Sequence, residues 1–175
     1  MHARLAVMVV VAAGLARTAA AAETCHTLEH QFGKTRTCVN SVLAPQGERT
    51  YGPNHLIVGE DGAWCEGSAG PGIGQSVTIH MQPRPRFRTI SVTNGYARTD
   101  DTFHRNGRVK RAYVEAEGGY KTVVTLKDTR EPQRFRIPTS RALWIKFTIA
   151  DVYPGTEGSD TCITWLSVDH EELNN

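Results

Sequence analysis

Apolar residues at every second position constrain this chain more than anything else in it. Val77, Ile79 and Met81 alternate with Thr78 and His80, and Ile90 and Val92 alternate with Thr89, Ser91 and Thr93. Ala112, Val114 and Ala116 alternate with Tyr113, Glu115 and Glu117, and Ile145, Phe147 and Ile149 with Trp144, Lys146 and Thr148. Such a period puts one face of each strand in a core and the other in water. Shorter strands are expected at 122–127, 134–137 and 161–168. Breaks such as Gly118-Gly119 and Tyr153-Pro154-Gly155 separate the runs. A long helical period is missing, and the best place for helical turns is the ten residues after Ala22. About eight strands in about 150 residues predict an all-β chain, an antiparallel β-sandwich of the jelly-roll kind, and not an α/β enzyme.

The first residues read as a targeting segment. His2 and Arg4 precede an apolar run over 5–16, and Ala20-Ala21-Ala22 stands before Glu23. That order predicts a signal peptide over 1–22 and a protein exported to the periplasm or beyond the cell. The run is too short for the roughly 20 residues of a transmembrane helix. Of the remainder, 23–49 reads as a lead-in carrying Cys25 and Cys38, 50–170 as the domain and 171–175 as a tail. The whole chain carries a formal charge of +2. Loss of Arg4 and Arg17 leaves the rest formally neutral, so net charge favours neither nucleic acid nor membrane as a partner.

All four cysteines lie beyond the signal segment, at Cys25, Cys38, Cys65 and Cys162. An even count in an exported chain, with no C-x-x-C pair, favours two disulfides over a metal or redox site. Of three possible pairings the reading prefers Cys25–Cys38 and Cys65–Cys162. Gly70, Gly72 and Gly74 come before a strand instead of leading from a strand into a helix. A dinucleotide fingerprint or P-loop needs that helix N-terminus, so these glycines read as a turn.

Three stretches recur together in a known family: "AWCEGSAGPGIGQSVTIHM" over 63–81, "ISVTNGYARTDDTFHRNGRVKRAYVE" over 90–115 and "LWIKFTIADVYPGTEGSDTCITWLSV" over 143–168. In this order and spacing they resemble the NADase-type glycan-binding domain. That is a discoidin-like (galactose-binding-like) jelly roll, named after a non-catalytic domain of secreted NAD-glycohydrolase toxins. The resemblance spans about 50–170. It implies a sandwich that binds carbohydrate or another surface ligand through loops at one end, with calcium optional and no NAD hydrolysis.

Catalytic patterns are weak. His26 and His30 have helical i, i+4 spacing but lack the Glu of an H-E-x-x-H zinc site. Ser68 and Ser76 sit in no nucleophile elbow, and no carboxylates are matched across strands. Glu60, Asp61 and Glu66 could converge with Asp160 as oxygen ligands for calcium, although an acidic, solvated loop is the plainer account. No metal is therefore expected. The reading is a binding module and not an enzyme, with a secreted enzyme acting on envelope polymers, or a protein-interaction module, as alternatives.

Charge concentrates over 84–111, where Arg84, Arg86, Arg88, Arg98, Arg105, Arg108, Lys110 and Arg111 face only Asp100 and Asp101. A water-facing sheet side explains such a run, and an anionic glycan or lipid phosphate is the partner it would attract. Inside it, "GYARTDDTFHRNG" over 95–107 reads as a loop between two strands. Its Arg98, Asp101, Phe103 and Arg105 are the expected ligand contacts, because an aromatic face covers the apolar side of a pyranose while charged groups bond its hydroxyls. The family resemblance implies that Asn94, Gly95, Tyr96, Asn106 and Arg108 shape the loop.

Overall fold

The computed structural model describes residues 22–31, 33–58 and 62–170. The expected signal segment, except for Ala22, lies outside the described residues, as do the 171–175 tail, Glu60 and Asp61. Among the described residues ten strands form: β1 (Thr24–His30), β2 (Gly33–Val39), β3 (Trp64–Cys65), β4 (Ser76–Gln82), β5 (Arg86–Asn94), β6 (Gly107–Ala116), β7 (Tyr120–Thr125), β8 (Gln133–Arg141), β9 (Trp144–Tyr153) and β10 (Thr161–His170). Two short helices join them, α1 (His55–Val58) and α2 (Asp100–Arg105).

Hydrogen bonding runs in the order β1-β2-β4-β9-β6-β10-β5-β8, with β3 on β10 and β7 on β6. Every link is antiparallel except β6–β10, which is parallel and joins only Gly107 to Thr161 and Arg108 to Cys162. At that short link the sheet folds over. Val77, Ile79, Ile145 and Phe147 from one side then meet Ile90, Leu166 and Val168 from the other. The alternating apolar residues of the sequence thus become the two inner faces of a jelly roll, with Trp64, Phe87 and Leu126 fully buried among them.

Two expectations need correction. The ten residues after Ala22 hold a strand and not helical turns. β1 pairs with β2 from Thr24↔Val39 to His30↔Gly33, and a disulfide joins the in-register Cys25 and Cys38. Cross-strand pairing overrides the local i, i+4 pattern, which leaves His26 and His30 on one side of a strand. Because β2 in turn pairs with β4 over Lys34↔Gln82 to Val39↔Val77, the lead-in extends the main sheet. The strand count accordingly rises from about eight to ten. The second correction concerns 95–107, where α2 stands in place of an open loop.

Connection lengths are sorted by end. At one end the β1–β2 and β6–β7 hairpins and the β4–β5 and β8–β9 crossings close over two to three residues. The β2–β3, β3–β4, β5–β6, β7–β8 and β9–β10 connections, all longer, emerge at the opposite end. The disulfide Cys65–Cys162 is at this end too, pinning β3 to the start of β10.

Candidate ligand-binding end

Asn94 ends β5 with its side chain fully buried. Its Oδ1 accepts from the backbone N–H of Gly95 and of Val109, and its Nδ2 donates to the Val109 carbonyl. One amide therefore fastens the departing chain to β6 in place of ladder bonds. Gly95 follows at φ +66°, and a Cβ there would lie 2.6 Å from the Arg108 side chain and 2.8 Å from the Phe103 ring. Only glycine fits that turn. Tyr96 is buried edge-on against Tyr51, with ring centroids 6.4 Å apart. Burial first, and then the neighbouring Tyr96, push the Tyr51 hydroxyl above its usual pKa.

Thr99 starts α2 through a capping box. Its hydroxyl accepts from the Thr102 backbone N–H, and the Thr102 hydroxyl accepts from the Thr99 N–H. The cap turns Phe103 inward. At 2% exposure its ring cannot meet a ligand in this structure, which corrects its expected role as a contact. The capping signal, T-x-x-T with Asp100 and Asp101 in the first turn, was present in the sequence; the helix it starts buries the aromatic one turn later. Asn106 closes the helix by donating from Nδ2 to the Thr102 carbonyl.

Arg108 organises the whole end. Its side chain is 7% exposed. Nε and Nη2 donate to the two oxygens of Asp128 at 3.0 and 2.8 Å, and Nη1 donates to the carbonyls of Asn106 and Pro154. The Phe103 ring lies 5.3 Å from its guanidinium carbon and the Tyr153 ring 6.0 Å. One side chain therefore ties together the β5–β6, β7–β8 and β9–β10 connections. Nothing in the sequence pattern identifies Asp128 or Pro154 as its partners, because both contacts are long-range.

The outer layer is ionic. Arg105 pairs with Asp101 at 3.3 Å and with Glu157 at 2.9 Å. The hydrogen bond it donates to Asp101 and the charges of Glu157 and Asp101 raise its pKa further, so it stays cationic. Arg130 pairs with Asp100 at 2.9 Å and also donates to the Ala97 carbonyl. Arg98 is exposed. Of the expected contacts, Arg98, Asp101 and Arg105 therefore share the surface of α2 and the turn before it.

The glycine-rich stretch borders the same end. Glu66 is fully buried, with Oε1 accepting from the Thr161 N–H and Oε2 from the Ser68 N–H and hydroxyl. Gly72 at φ +71° passes so close that a Cβ would lie 2.5 Å from the Glu66 side chain. Both carboxylate oxygens are thus engaged within the protein, and Asp160, the other expected calcium ligand among the described residues, is half-buried. Among the described residues one ligand-type triad occurs, Glu23, Cys25 and Cys38, and its sulfurs are joined in a disulfide.

The family description "NAD glycohydrolase translocation F5/8 type C domain" fits residues 30–169. The chain belongs to that family. No curated protein matches this F5/8 type C chain. Among solved structures, the fold is shared with the family 32 carbohydrate-binding module of Clostridium perfringens NanJ in complex with galactose, at TM-score 0.56 and 20% identity over 77% of this chain and 92% of that one. The C-terminal domain of a Bacteroides fragilis chitobiase gives TM-score 0.60 at 18% identity, over 85% of this chain and 100% of that one. A Ruminococcus gnavus GH29 fucosidase in complex with fucose gives TM-score 0.54 at 18% identity over 79% of this chain, but the match spans only 26% of the fucosidase. These likenesses establish a discoidin-like fold for the F5/8 type C chain.

Proposed function

We propose that this F5/8 type C chain is an exported, non-catalytic module that binds a glycan at its loop end. The observation that carries the reading is the sorting of connections, with every long one at the end that Arg108 and Asp128 clamp. A rigid scaffold presenting variable loops at one end is a common design for recognition. Around that clamp, Arg98, Asp101 and Arg105 offer charged donors and acceptors for sugar hydroxyls. Phe103 supports them from below instead of stacking on a ring. Likeness to a carbohydrate-binding module solved with galactose makes galactose-terminated glycans the first probes.

Calcium has no part in this reading, so chelation by EDTA should leave binding unchanged. The four cysteines, all held in disulfides, suit an oxidising compartment. No described helix is long and apolar enough to cross a membrane. A glycan array probed with the purified protein tests the proposal. Binding to defined glycans that is lost in Asp101→Ala and Arg98→Ala supports it, whereas an array empty for the correctly disulfide-bonded protein overturns it.

A further inference from the structure

Among the described residues β1, β7 and β8 are edge strands, and they are not equally protected. β7 hydrogen-bonds to β6 alone within that set, so one row of its backbone N–H and C=O groups is open to another strand. Natural edges guard such a row with charge or proline. β8 carries exposed Arg134, Arg136 and Pro138. β1 sets Thr27 and Glu29 on the water side, beside Arg36 and Lys34 of β2. β7 has neither device. Its run Thr122-Val123-Val124-Thr125 is wholly β-branched, which suits a strand. Its one charge, on Lys121, is compensated inside the sheet by Glu115 of β6, with Nζ to Oε1 at 2.6 Å.

The register aligns Ser76, Thr148, Tyr113 and Val123 in one row across the water side of β4, β9, β6 and β7. Tyr113 is 53% exposed and Val123 52%, so the row reaches the open edge as an apolar pair. This edge is complementary to itself. When two copies of β7 run antiparallel with Val123 opposite Val123, Thr122 stands opposite Val124 and Lys121 opposite Thr125. No like charges then meet. The two rows join as Tyr113, Val123, Val123 and Tyr113, which takes both exposed apolar pairs out of water. Centring the ladder on Lys121 instead would oppose two ammonium groups.

We propose that β7 pairs with β7 of a second copy of this chain, making one continuous sheet across a twofold axis at Val123. β7 runs from the short-hairpin end towards the loop end. Antiparallel pairing therefore sends the two loop ends in opposite directions. If the loop end binds glycan as proposed above, the dimer bridges two glycan-bearing surfaces; the pairing itself does not depend on that reading. An extended peptide from another protein could use the same backbone row, but it would not need the twofold match of residues around Val123.

Sedimentation velocity of the purified, disulfide-bonded protein over rising concentration tests the proposal. The parent should pass from one copy to two. Val123→Lys sets like charges across the axis and should weaken self-association roughly tenfold or more, with an unchanged melting temperature at low concentration. Leu28→Lys on edge strand β1 should associate like the parent. Val123→Cys should form a covalent dimer on mild oxidation, because a residue on the axis faces its own copy. Thr125→Cys should do so only when mixed with Lys121→Cys. A parent that stays monomeric, self-association unchanged by Val123→Lys or weakened equally by Leu28→Lys, or Val123→Cys that does not cross-link, overturns the proposal. So does a monomeric parent that captures an extended peptide along β7.

Discussion

Arg108 and Asp128 meet through two parallel hydrogen bonds, Nε to Oδ1 at 3.0 Å and Nη2 to Oδ2 at 2.8 Å, across 20 residues of chain. The pair is nearly enclosed on the arginine side and also supports two backbone carbonyls. Removing one partner of such a pair leaves the other charge and both carbonyls without compensation. Arg108→Ala should therefore destabilise the fold by about 3 kcal/mol. Arg108→Lys should recover only part of this, because an ammonium cannot form the fork. Thermal melts of the two variants check the ranking.

The correction at Phe103 gives a second expectation. Phe103→Ala empties a site beneath Arg108 and Gly95 and should cost about 3 to 4 kcal/mol. Arg98→Ala, on the exposed turn, should change stability by less than about 0.5 kcal/mol. Chemical denaturation of both variants separates a supporting ring from a surface contact.

The disulfides give a third. Cys65–Cys162 closes 97 residues and Cys25–Cys38 closes 13. In the chain-entropy account the longer loop contributes about 4.7 kcal/mol and the shorter about 3 kcal/mol. The paired substitution Cys65→Ala/Cys162→Ala should thus lower the melting temperature more than Cys25→Ala/Cys38→Ala. The long bridge also lies in the buried cluster with Tyr51, Ala63 and Tyr96, which adds a packing loss to the entropic one.

These residues show what could be read in the sequence and what could not. The period-2 runs at 77–81, 90–93, 112–116 and 145–149 all became strands, because alternating burial is a local property of a two-faced sheet. Cysteine parity likewise led to both bridges. The β1 strand was not legible, since Thr24–His30 has no apolar alternation and is held by β2 and the Cys25–Cys38 bridge. At the loop end the sequence suggested an open loop with Phe103 turned outward, whereas the structure holds a helix there with Phe103 buried. The T-x-x-T cap and the Asp100-Asp101 pair start a helix, and a helix of six residues with one aromatic buries it. Asp128, Pro154 and Glu157 carried no signal, because their roles come only from tertiary contact with Arg108 and Arg105.

Catalytic silence is the fourth expectation. At the loop end Arg105, Arg108 and Arg130 are ion-paired with carboxylates, and the Ser68 hydroxyl donates to the fully buried Glu66 carboxylate, which also accepts the backbone N–H of Ser68 and Thr161. Purified protein incubated with NAD should release no nicotinamide above a heat-treated control. Turnover that follows the protein through purification would restore the enzyme reading.

An NMR titration of the isotopically labelled protein with a galactose-terminated disaccharide tests the central claim most directly, since it reports where a sugar sits. The account predicts saturable shifts at the backbone amides of Arg98, Asp101, Arg105 and Glu157, with strands β1 and β2 unmoved and the same pattern in the presence of EDTA. Saturable shifts confined to the short-hairpin end, or to the outer sheet faces with the α2 amides unmoved, would contradict it.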